Sequence, residues 1–229
     1  MSLHDYLVSL ASSLRPTDSE RGQILTSVKT IFERLDQNLG DELKDLVGFG
    51  SFPRGTMLTR SVDQHSDVDL MIVFNKSDSK PQTYLNRLKQ FAEGRYPLSE
   101  VRQSRPSIVL EMNHLSFDLV PAIDRFIGGI SIPSSSDDWM SAGSDDTYDR
   151  LRKLNVKHRY FPGMAILLCK YWNVLKGYEL DSYQIEKSVM EVAGWEYCEL
   201  AEMFIRSLRM VVEQHLKVPS PAAFSERRR

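Results

Sequence analysis

The sequence has little of what marks several large protein classes. It holds only two cysteines in 229 residues, Cys169 and Cys198. Both lie in apolar, helix-like surroundings, and neither belongs to a Cys-x-x-Cys or Cys/His cluster. A disulfide scaffold and a zinc module are thereby excluded, and the pair reads as buried free thiols in a reducing compartment. No apolar run approaches the roughly 20 residues of a bilayer-spanning helix. The N-terminus, Met-Ser-Leu-His-Asp, lacks the basic segment and apolar run of a secretory signal. The expected location is cytoplasmic, with no membrane partner. Positive charge is not in excess either: 29 Lys+Arg stand against 31 Asp+Glu, a net charge of −2. Without a global positive field, nucleic acid is not favoured as a partner. No internal repeat is visible.

What is present is an ordinary globular composition, 41% hydrophobic and 26% charged, long enough for one large domain or two small ones. From Thr17, Ile24, Val28, Ile31, Phe32 and Leu35 recur at spacings of three and four, which predicts a long helix capped by Thr17 or Asp18 and ended by Gly40. Residues 46–49 read as a short strand before Gly50-Ser51, and Pro53 opens a short helix. Strands are expected at 68–74, 108–112 and 115–120, the last two joined by a turn at Asn113-His114 with His114 on the surface. Ile130 and Ile132 mark another short strand, and Pro81 opens a helix to about residue 96. The Ser/Asp-rich stretch 133–138 is a loop. Beyond it the chain reads as helices over 145–158, from Pro162 to Gly177, from a Ser182 cap, and over 195–216. The expected fold class is α+β. A mixed-sheet lobe over 1–134 includes the N-terminal helices, a helical lobe covers 135–218, and 219–229 is a flexible tail. Helix 17–39 is expected to brace both lobes.

Chemistry concentrates in three short segments. Gly48-Phe49-Gly50-Ser51-Phe52-Pro53-Arg54-Gly55-Thr56 follows a strand and opens a helix. Glycine lets the backbone approach an anion, a helix N-terminus offers unpaired N–H groups, and Ser51 adds a hydroxyl. Arg54 reads equally as a phosphate contact or as cover for the helix start. In Ser66-Asp67-Val68-Asp69-Leu70, Asp67 and Asp69 sit at i and i+2 and point to one face of a strand. Two such carboxylates are either solvated at a strand start or held by a hard cation such as Mg²⁺, which takes one or two carboxylates plus substrate phosphates. Asp118 interrupts the apolar run Leu115-Ser116-Phe117-Asp118-Leu119-Val120. If that strand lies beside 68–74, Asp118 completes a three-carboxylate site able to hold two metals about 3.5–4 Å apart and clamp an in-line phosphoryl transfer. His65 is an unsuitable ligand, because Mg²⁺ prefers oxygen. Fifteen residues, 52–66, separate Ser51 from Asp67, and Val62-Asp63-Gln64-His65 reads as a surface bulge.

Together, Gly50-Ser51, Asp67-x-Asp69 and Asp118-Leu-Val-Pro-Ala resemble the polymerase-β nucleotidyltransferase superfamily. Arg54-Gly55-Thr56 and Ser66-Asp67-Val68-Asp69-Leu70 are similar to its branch holding the oligoadenylate synthetases, the cyclic GMP–AMP synthases and the bacterial CD-NTases of the SMODS family. Lys170-Tyr171-Trp172-Asn173 and Asp181-Ser182-Tyr183 extend the resemblance, which covers roughly residues 45 to 190. It implies that Asp67 and Asp69 ligate two Mg²⁺ ions, with Mn²⁺ as a substitute. Asp118 would ligate the catalytic one and help deprotonate the acceptor. It implies that Gly50, Ser51 and Arg54 lie at the donor triphosphate, that Lys170 and Ser182 contact the outer phosphates, and that Tyr183 stacks on a base. Taken alone, Lys170 reads equally as a solvated helix lysine, Ser182 as a simple N-cap and Tyr183 as packing.

The resemblance implies transfer of a nucleoside monophosphate from an NTP, ATP among the donors, to a hydroxyl with release of pyrophosphate. In the bacterial branch the product is a cyclic or linear oligonucleotide messenger in antiviral signalling. Two other readings keep part of the motif: modification of a protein or RNA end, and a nucleotide-binding scaffold without catalysis. The near-neutral charge agrees with a small-nucleotide acceptor rather than RNA.

Overall fold

The computed structural model describes residues 1–75, 78–113, 115–125, 129–142, 146–195 and 197–217. His114, Asp145 and the expected tail 219–229 lie outside them. In chain order the elements are α1 Leu3–Ser13, α2 Asp18–Leu39, β1 Leu43–Phe49, α3 Ser51–Arg54, β2 Asp67–Phe74, α4 Pro81–Arg95, β3 Glu100–Ser104, β4 Ser107–Glu111, β5 Ser116–Arg125, β6 Gly129–Pro133, β7 Trp139–Ser141, α5 Asp146–Lys157, α6 Phe161–Leu175, α7 Ser182–Trp195 and α8 Leu200–Lys217.

Two compact units emerge: Arg15–Asp149, and Met1–Leu14 together with the chain from Arg150 onward. This corrects the expected division into 1–134 and 135–218 at both ends. The loop after β6 is a turn within the first unit, where the amides of Ser134 and Ser135 both donate to the Asp138 carbonyl. It folds β7 back onto β6 in the register Ser131↔Ser141 and Pro133↔Trp139. The Trp139 ring then meets Tyr84 at 5.6 Å, edge to face. At the other end, α1 packs on α6 and α8, with Leu7 and Ala11 buried.

In the first unit a mixed sheet runs β1-β2-β5-β4-β3, with β6 continuing from β5 to β7. Strands β2 and β5 are parallel, whereas β1–β2, β4–β5 and β3–β4 are antiparallel. Side-chain alternation sorts this sheet into two chemistries. Val68, Leu70 and Ile72 of β2, Phe117 and Leu119 of β5, and Ile108 and Leu110 of β4 form one core with α2 and α4. Helix α2 supplies Ile24, Ile31 and Leu35, and α4 supplies Leu85, Leu88 and Phe91. Burying each such side chain contributes about 1.5–3 kcal/mol. Thr17 caps α2: its hydroxyl accepts from the Glu20 amide while Glu20 accepts from the Thr17 amide. Two strands are absent from the expected set: β3 is polar and largely exposed, and β7 has only three residues, too few to show an alternation.

The second unit is helical. Helix α6, with ten of its fifteen residues buried, packs on α7 and α8. Both cysteines are buried, and neither is in a disulfide. Gly177, at φ +79°, takes the left-handed conformation that ends α6. The Asn173 side chain holds the turn into α7, accepting from the Leu180 amide and donating to its carbonyl, both at 2.8 Å. The cap of α7 is Asp181, whose Oδ1 accepts from the amides of Tyr183 and Gln184 at 2.9 and 3.0 Å. The expected Ser182 cap is thus displaced by one residue, because the Asp181 carboxylate reaches both orphan amides. No helix among the described residues is long and apolar enough to cross a membrane.

Candidate active site

The face of the sheet opposite the α2/α4 core collects the polar residues of the central strands. Parallel pairing places Asp69 beside Asp118 and Asp67 beside Ser116. Antiparallel pairing adds Val109 next to Asp118 and Glu111 next to Ser116, then Arg102 of β3 next to Val109. Register partners on neighbouring strands lie about 4.8 Å apart. Strand order and side-chain parity therefore bring Asp67, Asp69 and Asp118 to one face, all three half-buried.

Gly50 closes the row at the β1 edge. It follows Phe49, the register partner of Asp69, and turns with φ +77°. A Cβ built on Gly50 would lie 1.8 Å from Asp69 Oδ2. The glycine is required twice, by its conformation and by the carboxylate packed against its Cα. Ser51 and Arg54 follow on α3, both half-buried. Helix α3 is a single turn of four residues, so the expected helix-dipole contribution is slight. Any anion hold here rests on the glycine turn and the Ser51 hydroxyl.

Asp118 occupies a desolvated position. Burial pushes its carboxyl above the ordinary range, against the opposing pull of the Ser107 hydrogen bond and the Arg102 charge; Glu111 pushes it further up. Ser107 Oγ lies 2.9 Å from Asp118 Oδ2 and 2.8 Å from the Ser104 carbonyl. The single hydroxyl proton is shared between these two acceptors or given to one of them. A proton on Asp118 would let the carboxyl donate to Ser107 Oγ while Ser107 donates to the Ser104 carbonyl.

A cavity of about 240 Å³ adjoins the row; Asp67, Ser116, Glu111 and Asp118 line it together with Arg60 and Arg102. Val62-Asp63-Gln64-His65, expected as a surface bulge, does carry exposed Gln64 and His65, which also line this cavity. Among the described residues no three His, Cys, Asp or Glu side chains form a ready-made metal cage. The donor set nevertheless fits a hard cation, being all carboxylate oxygen on one face with one member desolvated. Mg²⁺ keeps waters and completes its shell with substrate phosphates rather than with a protein cage.

The sequence did not point to Arg60, Arg102 or Ser107. Ser107 and Arg102 matter only through the β3–β4–β5 register, and Arg60 stands in a loop without a pattern. The helical-unit candidates are placed as follows. Lys170 is buried, and its ammonium donates to Glu186 Oε1 at 2.6 Å. Its alternative reading as a solvated helix lysine is thereby ruled out. Ser182 is exposed at the first position of α7, and Tyr183 is 55% exposed, which excludes a core role for that ring but not packing at the rim.

Comparison with known proteins agrees with this arrangement. A family model described as the Second Messenger Oligonucleotide or Dinucleotide Synthetase domain, SMODS, matches residues 1–155. The chain belongs to the SMODS family. One relative, a probable cyclic AMP-AMP-GMP nucleotide synthase of Salmonella paratyphi B, is 30% identical over 126 residues, covering 52% of this chain and 32% of that protein. Another, a probable cyclic nucleotide synthase of Bacillus cereus strain VD146, is 24% identical over 190 residues, covering 65% and 55%. The SMODS chain thus spans about a third and about half of the length of these two relatives. In fold it is similar to the Bradyrhizobium diazoefficiens CD-NTase CdnG in complex with GTP, with a TM-score of 0.73, 16% identity, and coverage of 89% of this chain and 74% of that one. It is also similar to Escherichia coli MS115-1 CdnC with ATP, with a TM-score of 0.69, 18% identity and coverage of 93% and 72%. The α+β, polymerase-β-like fold expected from the sequence is the fold of these structures.

Proposed function

We propose that this SMODS chain transfers a nucleoside monophosphate from an NTP, ATP among the donors, to the sugar hydroxyl of a second nucleotide. The product is a cyclic or linear oligonucleotide messenger serving antiviral signalling in the cytoplasm. The observation that carries this reading is the Asp69–Asp118 register pair, with Asp67 on the same face and Gly50 packed against Asp69.

In this reading Asp67, Asp69 and Asp118 hold two Mg²⁺ ions, or Mn²⁺. Bound there, the ions neutralise the carboxylates and polarise the transferring phosphoryl group. Gly50, Ser51 and Arg54 orient the donor triphosphate. Asp118 accepts the proton of the attacking hydroxyl. The acceptor oxygen bonds to the α-phosphorus, the bond from that phosphorus to the bridging oxygen breaks, and pyrophosphate leaves with the electron pair. Lys170 and Ser182 keep the outer-phosphate role that the resemblance gives them, and exposed Tyr183 offers a face to a base. The relatives named as synthases of cyclic nucleotides, and the neighbours solved with GTP and ATP, support an NTP as substrate.

The test is incubation with all four α-labelled NTPs and Mg²⁺ or Mn²⁺, with products resolved after phosphatase treatment. The expected result is a phosphatase-resistant nucleotide product. Label transferred only to a protein or an RNA end, or NTP bound without turnover, would replace this reading with one of its rivals.

A further inference from the structure

Ser107 is fully buried at the start of β4, where a polar side chain is costly unless it is hydrogen-bonded. The register accounts for where it points. Val109 is the partner of Asp118 across β4 and β5. Ser107 and Glu111 stand at i−2 and i+2 from Val109, so both share the face of Asp118. The Asp118 carboxylate therefore has a hydroxyl on one diagonal and a like charge on the other. It leans to the hydroxyl, with Ser107 Oγ 2.9 Å from Oδ2.

Ser107 is itself tied down. Ser104 and Ser107 are the register pair that closes the β3–β4 hairpin, and Ser107 Oγ lies 2.8 Å from the Ser104 carbonyl. An ionised carboxylate can only accept hydrogen bonds, and a metal's carboxylate ligand is ionised. With Asp118 in that form, Ser107 is the donor and Oδ2 the acceptor. The bond engages Oδ2 and leaves Oδ1 for a cation. A competing pull comes from the other side. Arg102, the register partner of Val109, stands in the same line across the sheet, and its charge attracts Asp118. Without the Ser107 tether, that charge draws Asp118 toward β3 and away from Asp69, its partner on β2.

A metal ligand keeps its orientation through the hydrogen bonds it makes behind the metal, and losing such a partner weakens metal binding. We infer that Ser107 is a positioning residue for the metal: its hydroxyl fixes Asp118 by Oδ2 and leaves Oδ1 as the metal-binding oxygen beside Asp69. Ser107 acts through Asp118 and touches neither metal nor nucleotide. This rests on the reading above that the three carboxylates hold a divalent cation, but its test needs no turnover.

The experiment titrates the full chain with Mn²⁺ alone and follows the unbound ion by its electron paramagnetic resonance signal. Wild type, Ser107→Ala, Asp118→Ala and the double variant are compared. Ser107→Ala is expected to weaken Mn²⁺ binding about tenfold, and Asp118→Ala at least as much. In the Asp118→Ala background, Ser107→Ala is expected to change the affinity by about twofold or less, because the residue it acts through is gone. Ser107→Thr keeps the hydroxyl and is expected to retain most of the affinity. Any general loosening of the hairpin is common to both backgrounds and cancels in the comparison. An equal loss in both backgrounds would make Ser107 a purely structural residue and overturn the assignment. Wild-type affinity in Ser107→Ala, with Asp118→Ala weakened, overturns it too and leaves the metal reading standing. Asp118→Ala indistinguishable from the wild type, whether both bind Mn²⁺ or neither does, removes the metal reading and the role of Ser107 with it.

Discussion

Asp69 and Asp118 are register partners on two parallel strands, 49 positions apart in sequence and side by side in the sheet. Burial disfavours the charged form of Asp118, so its presence is a cost to the fold that function repays. Asp118→Asn is expected to keep or raise the thermal midpoint while cutting transfer by about a thousandfold or more. Thermal unfolding and pyrophosphate release, measured on the same preparation, check both halves.

Gly50 gives a second expectation. Alanine there meets Asp69 Oδ2 at 1.8 Å and forces a left-handed conformation on a residue with a Cβ. Gly50→Ala is expected to cost about 1–3 kcal/mol of stability from backbone strain alone and to remove activity by displacing the Asp69 carboxylate. A Gly50→Ala variant that turns over normally would show that Asp69 need not stay where it is packed.

The buried Lys170–Glu186 pair separates a structural role from a substrate role. Lys170→Met takes the ammonium away from buried Glu186 and is expected to lower the thermal midpoint. The double variant Lys170→Met/Glu186→Leu removes the buried carboxylate as well and is expected to recover part of that stability. If Lys170 also reaches the donor phosphates, the double variant folds but shows a raised KM for NTP. A double variant with wild-type KM confines Lys170 to the fold.

His158 supplies a pH dependence. Its ring is fully buried and stacks on Tyr197 at 5.6 Å. Burial, then the nearby Lys157 charge, push its pKa below the ordinary value of 6.5. The unfolded chain therefore binds this proton more readily than the folded one. The contribution to stability is complete above about 6.5 and is lost as the pH falls below it toward the depressed folded value. The thermal midpoint of the wild type is expected to fall between about pH 7 and pH 5, and His158→Phe to flatten that decline. Parallel slopes in the two proteins would exclude His158 as the cause.

Much of this site is legible in the amino-acid sequence. The i, i+2 spacing of Asp67 and Asp69 puts both on one face, and Asp118 stands out as a charge inside an apolar strand. Gly50 stands out as a turn residue, but not as the residue packed on Asp69, since that contact depends on the β1–β2 register. Ser107, Arg60 and Arg102 are invisible for a related reason: each is ordinary in sequence and acquires meaning only from neighbours that the fold brings to it. The unit boundary is misplaced by sequence reasoning because a Ser/Asp-rich loop resembles a linker whether it joins two units or turns a strand back onto its own sheet. Burial of Lys170 has no local sign, as its partner Glu186 lies on the next helix.

The most direct single test is the rate of pyrophosphate release from NTPs with Mg²⁺, compared between the wild type and Asp69→Asn. Metal-dependent release in the wild type that drops by about a thousandfold in the variant is the expected result. Release that survives the substitution would mean that the row formed by Asp67, Asp69 and Asp118 is not the reaction centre.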